Sequence, residues 1–126
     1  MPQTKPPESR SVQDFLKTVY ELQQDCERVL TNALAEALSI SAPSVTDMAG
    51  RLCTAGLLDY RKQHGVKLTE EGEKIALNVI YRHQMIERFL IEHLGYSELE
   101  AHQEAELMEH VVSDKFVQAL AARLHP

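Results

Sequence analysis

Apolar residues recur every three or four positions through most of this chain, and one short alternating stretch interrupts them. Val12, Phe15, Leu16, Val19, Tyr20 and Leu22 predict a first helix over Ser11 to about Gln24. Ser11-x-x-Asp14 at its start resembles a capping box, with Asp in place of the usual Glu or Gln. Leu34, Ala35 and Leu38 predict a short helix that Thr31 can cap. Ser41 is a good cap for the next helix, where Pro43 is tolerated in the first turn and Val45, Met48, Ala49 and Leu52 form the apolar face. Gly56 can end that helix in the left-handed conformation. Two short helices joined by a link of about four residues make a helix-turn-helix pattern. Its second helix exposes Ser44, Thr46, Asp47 and Arg51.

The period then changes. Leu57–Lys62 and Val66–Leu68 read as two short strands around Gln63-His64-Gly65, a hairpin tip. A hairpin directly after a helix-turn-helix is the winged-helix arrangement, and Arg61, Lys62, His64 and Lys67 make this wing basic and suited to phosphate. Thr69 caps a long helix with Glu70 and Glu71 at its positive end. That helix runs through Ile75, Val79, Ile80, Ile86, Phe89, Leu90 and Ile91 to about Leu94, where Gly95 stops it. Its apolar content is wider than one stripe, which predicts a second buried face against another subunit. Ser97-Glu98 opens a further helix, and Ser113-Asp114 a last one bearing Phe116, Val117, Leu120, Ala121 and Leu124. The expected fold is mostly α with a small β-hairpin. A flexible, polar, Pro-rich arm occupies 1–10, a winged helix-turn-helix 11–71, and a helical region 72–126.

Charge sharpens this picture. The 126 residues carry a formal charge of −6, which argues against nucleic acid if the charge is evenly spread. It is not. Ser97–Asp114 holds Glu98, Glu100, Glu104, Glu106, Glu109 and Asp114 with no Lys or Arg, so the other 13 acidic residues balance the 13 basic ones. No apolar run approaches the roughly 18–20 residues of a membrane span, and the first ten residues lack the apolar core of a signal peptide. Cys26 and Cys53 have no C-x-x-C spacing, which predicts reduced thiols in a cytoplasmic protein.

The acidic segment carries the candidate chemistry. Ala101–His110 reads as helix and sets His102, Glu106, Glu109 and His110 at i, i+4, i+7 and i+8, on one face. In the long helix His83 and Glu87 stand at i, i+4. Two such helices packed together can enclose a divalent metal, because a metal needs several deprotonated donors converging with little strain. Asp14 joins the available donor set. The set holds oxygen and nitrogen but no sulfur, which suits Mn(II) or Fe(II) better than a structural zinc site. Enzyme readings are weaker, since the chain has no glycine-rich phosphate loop, no G-x-S-x-G and no H-E-x-x-H. The rivals are a winged-helix regulator indifferent to metal and a pure protein-interaction module.

Thr18-Val-Tyr-Glu-Leu22, Pro43-Ser-Val-Thr46, Leu68-Thr-x-x-Gly72, Tyr81-Arg-His83 with Glu87, and Glu106-x-x-Glu109-His110 followed by Ser113-Asp114 resemble the diphtheria-toxin-repressor family of metal-dependent transcriptional repressors. The resemblance covers about Val12 to Leu124. It implies a homodimeric winged-helix protein in which metal orders the N-terminal helix and sets two reading heads for a palindromic DNA operator. It places primary metal ligands on Asp14, Glu106, Glu109 and His110, and ancillary ligands on His83, Glu87 and His102. Asp14 and Glu106 match the manganese-responsive members, where iron-responsive ones have Met and Cys. The implied cofactor is therefore Mn(II), with Fe(II) the alternative. Lys17 stands where manganese regulators carry a further Glu, which argues against their closely spaced pair of metals. The chain ends near the close of the dimerisation region, implying a short member without the family's C-terminal SH3-like domain. Ser41, Pro43, Ser44 and Thr46 match positions that approach DNA, and Arg51, Arg61, Lys62 and Lys67 are expected to add to them. Asp47 replaces the usual Gln or Lys; a carboxylate there can accept a hydrogen bond from cytosine N4.

Overall fold

The computed structural model describes residues 8–124. Most of the expected arm over 1–10 lies outside the described residues. In chain order the elements are α1 (Arg10–Leu22), α2 (Thr31–Leu38), α3 (Ala42–Thr54), β1 (Leu58–Arg61), β2 (Gly65–Leu68), α4 (Glu70–Leu94), α5 (Glu98–Met108) and α6 (Asp114–Leu124). They group into two compact units, one spanning Ser11–Leu77 and one running on from Asn78.

The first unit is a winged helix. Its core joins Phe15, Leu16 and Val19 of α1, Leu34 of α2, Val45, Ala49 and Leu52 of α3, Leu58, Val66 and Leu68 of the hairpin, and Ala76 of α4. Burying a Leu, Val or Phe side chain contributes roughly 1.5–3 kcal/mol, so this shared cluster fixes α3 against the wing. Ser41 caps α3 as its spacing predicts, accepting from the Ser44 N–H at 3.2 Å. The wing pairs β1 and β2 antiparallel with Tyr60 opposite Val66 and Arg61 opposite Gly65.

Three local expectations are corrected. Helix α1 begins at Arg10, so Ser11 lies within its first turn and the Ser11–Asp14 capping box does not form. Thr31 is the first residue of α2, and Leu30 occupies the cap position with no side-chain hydrogen bond. Gly65 is not the hairpin tip. It is paired in β2, and the turn before it places Gln63 at φ 70°. The reason is a third segment absent from the sequence pattern. Val29 forms a bridge to Val66 through two 2.8 Å backbone hydrogen bonds. A Cβ on Gly65 would stand 2.2 Å from the Val29 carbonyl oxygen, so only glycine admits that segment.

In the second unit Ile86 and Leu90 of α4 pack with Ala101 and Ala105 of α5 and Leu120 of α6. Met85, Val117 and Leu124 form a neighbouring cluster. The buried alanines, four apart on α5, allow close approach of that helix. Gly95, at φ 73°, ends α4 as expected, and Ser97 and Glu100 form a reciprocal capping box that starts α5. No helix among the described residues is long and apolar enough to cross a membrane.

Candidate metal centre and nucleic-acid face

His83 is the hub of the second unit. Its Nδ1 lies 2.6 Å from Glu109 Oε1, and its Nε2 lies 2.8 Å from Glu87 Oε2 and 3.2 Å from His102 Nδ1. His102 Nδ1 is 3.3 Å from Glu87 Oε2, and its Nε2 is 3.4 Å from Glu106 Oε1. The two imidazoles meet edge to face with centroids 4.9 Å apart. One ligand atom from each of His83, His102 and Glu106 falls within 4.8 Å of the others. Two metal–ligand bonds of about 2.2 Å span about 4.4 Å, so small rotamer shifts close this set on one ion. Two ring nitrogens and several carboxylate oxygens facing one another are lone pairs in mutual repulsion unless a proton or a cation stands among them. The donor set therefore fits a divalent metal.

Burial grades these groups. Glu109 is fully buried and His110 nearly so, whereas Glu87 and Glu106 are half-buried and His102 is exposed. The expected single face is corrected here. Helix α5 ends at Met108, Glu109 is its cap residue, and His110 lies in the turn that follows. Glu109 still keeps its helical bond to the Ala105 carbonyl, at 2.9 Å. Within that turn His110 Nε2 is 3.3 Å from Glu109 Oε2.

A residue that sequence reasoning missed secures the turn. Arg82, 2% exposed, donates to the Val112 carbonyl and to the Asp114 carboxylate. It pins the chain on the far side of Glu109 and His110. Its signal was present in the sequence, since Arg82 falls between Val79 and Ile86 on the apolar phase of α4. Ser97 marks the other end of α5. Its backbone N–H and hydroxyl hold the Glu100 carboxyl below the usual carboxylate range.

In the winged-helix unit Asp14 is half-buried on α1, and Lys17 and Gln13 are buried on the same helix. Ser41, Pro43, Ser44, Thr46, Asp47 and Arg51 are all exposed at the start and along the outward side of α3. Ser41 and Ser44 also serve the helix cap, their hydroxyls 2.8 Å apart. Arg61 and Lys62 are exposed on the wing; Lys67 is half-buried, 3.8 Å from Glu27. Arg28, also missed, ties the Val29 segment to the wing by donating to the Asp59 carbonyl at 2.8 Å, to its carboxylate, and to the Gly65 carbonyl at 3.2 Å. The hydrogen bond from Arg28 holds the Asp59 carboxyl below its ordinary value, with the charges of Arg28, Arg61 and Lys67 acting in the same direction.

Residues 9–66 match the iron-dependent repressor N-terminal DNA-binding domain, and residues 69–126 match the metal-binding and dimerisation domain of the same repressors. The chain belongs to this family, that of the diphtheria-toxin repressor. An HTH-type transcriptional regulator of Methanocaldococcus jannaschii is 35% identical over 113 residues, 89% of this chain and 90% of the relative. The transcriptional regulator MntR of Escherichia coli O157:H7 is 37% identical over 108 residues, 86% of this chain and 69% of that protein. A solved manganese-dependent transcriptional repressor in complex with manganese superposes with a TM-score of 0.81 at 37% identity, over 90% of this chain and 52% of that one. The chain thus spans about half the length of that solved repressor. Family members are metal-dependent, DNA-binding transcriptional regulators and not enzymes, and the winged helix and helical metal-binding region are those of the family.

Proposed function

We propose that this chain is a Mn(II)-activated repressor, with Fe(II) the alternative ion. In this reading it binds a palindromic operator as a cytoplasmic homodimer and controls genes of metal homeostasis. The convergence of His83, Glu87, His102 and Glu106, in a chain that also carries a winged helix, is the observation that supports it most. The donors are oxygen and nitrogen only. Met108 packs against the apolar cluster, and none of the described ligand atoms gathered around His83 is sulfur, which favours a harder ion. Exposed Leu94, Leu99, Leu107, Val111 and Phe116 give the second unit the apolar surface that a homodimer would cover.

His83, Glu87 and His102 would hold one ion, with the Glu106 carboxylate beside them. The family resemblance alone assigns Asp14, Glu106, Glu109 and His110 to a second, with Asp14 as the ligand through which the DNA-binding unit senses it. A bound divalent ion supplies positive charge against these carboxylates and a fixed direction for each lone pair. The remaining work falls to the protein. Arg82 holds the turn bearing Glu109 and His110, Ser97 and Glu100 hold the start of α5, and Ser41 sets the first turn of α3. The ion favours the DNA-competent form only as far as it binds that form more tightly, a coupling of roughly 1–3 kcal/mol per site.

Fluorescence anisotropy with operator DNA, under chelator, Mn(II), anaerobic Fe(II) and Zn(II), tests the proposal. Binding should tighten about 5- to 150-fold with the activating metal. Glu106→Ala should lose that response and keep its helical circular dichroism. A full metal response in Glu106→Ala would remove Glu106 from the site. Equal, salt-sensitive binding of the native chain in every condition would instead describe a metal-independent regulator.

A further inference from the structure

Asp47 and Arg51 stand one turn apart on α3 and hold each other, with Arg51 Nε 3.4 Å from Asp47 Oδ2. Both side chains are largely exposed, 73% and 65%, and a solvated pair of this kind contributes little to folding. Between them lies Gly50, where an added Cβ would meet nothing within 4 Å. A glycine inside a helix is less stable than alanine there, and no described neighbour calls for one. Together with Thr46, Thr54 and Tyr60 these residues line a shallow concavity on the outward side of α3.

An acid on a DNA-reading surface is repelled by phosphate, so it must meet a donor on a base edge. In the major groove the cytosine N4 amino group supplies one, beside guanine O6 and N7, which together accept both prongs of a guanidinium. An A·T pair offers the adenine amino group but no matching pair of acceptors for arginine. We infer that Asp47 and Arg51 act as a single reader of one C·G base pair in each half-site. Arg51 donates to guanine O6 and N7, Asp47 accepts from cytosine N4, and Gly50 leaves room for the base edges. The ion pair orients both groups before DNA arrives, which lowers the ordering cost of the contact. This inference rests on the DNA-binding reading above.

The test is selection from random duplex DNA by the full chain with Mn(II), using native protein, Asp47→Ala, Asp47→Asn and Arg51→Ala, followed by anisotropy on the selected duplexes. The native chain should fix one C·G pair per half-site, and replacing it by T·A should weaken binding about 5- to 150-fold. Asp47→Ala and Arg51→Ala should each reduce that discrimination to a few-fold, and Asp47→Asn should shift selection toward A·T. Superimposable thermal melts of the variants keep folding out of the comparison. Sequence-specific binding with the same preference in Asp47→Ala would overturn the inference and leave the DNA reading intact. Failure of the native chain to enrich any sequence would overturn both.

Discussion

Some carboxylates in this chain act as struts and others as candidate ligands, and their partners separate these two roles. Asp59 is a strut. It faces Arg28, Arg61 and Lys67. Its folded carboxyl titrates below its unfolded value, so the stability it gives is present above the unfolded value and lost as pH falls through the folded one. Asp59→Asn should therefore flatten the acid limb of stability measured by thermal melts between neutral pH and pH ~3, near the ordinary carboxylate range. An unchanged acid limb would assign no stabilising role to the Arg28 contact. Glu87, Glu106 and Glu109 face imidazoles instead. Glu87 and Glu106 were legible in the sequence because each stands at i, i+4 from a histidine, a geometric signal in helices, whereas Glu109 meets His83 across 26 residues. The burial of Arg82 was legible in the same way, from its place on the apolar phase of α4, but the partners of Arg28 and Arg82 were not, because they lie 31 and 32 residues away and no local period encodes such a contact.

At the scale of elements, the sequence set the order and type of each helix and strand, and the errors fell at their ends. Helix α3 carries its own cap in Ser41, so its start was readable. Helix α2 lacks one. Leu30 sits at its cap position in extended geometry, φ −71° and ψ 146°, and is 57% exposed. The backbone there already suits a capping side chain. Leu30→Asn should stabilise the protein by about 1 kcal/mol, read as a higher urea midpoint at unchanged slope. A lower midpoint would mean that the Leu30 side chain contributes packing worth more than a cap. Helix α5 was read two residues too long, because the acidic spacing continues through Glu109-His110 while the chain must already turn toward the Ser113 hydroxyl that caps α6.

At the scale of the molecule, charge and apolar surface divide the labour. The acidic surplus of −6 resides in one segment, Ser97–Asp114, which also supplies Glu106, Glu109 and His110. Removing mutual carboxylate repulsion on metal binding must appear as stability of the whole chain. Mn(II) at a hundred times its dissociation constant should add about 2.7 kcal/mol per site and raise the melting temperature, and Glu106→Ala should reduce that gain. An equal gain in the variant would place the ion elsewhere.

Two glycines frame how this sequence can drift. At Gly65 a side chain would strike the Val29 carbonyl, so the position is closed to every other residue by the fold alone. At Gly50 the interior exerts no such veto. A library screened only for folded protein should keep glycine at 65 and accept alanine freely at 50. Screened for repression, the same library should contract at 50 as well. The difference between those two tolerance profiles would mark, position by position, where the pressure on this chain comes from its own core and where it comes from the duplex it reads.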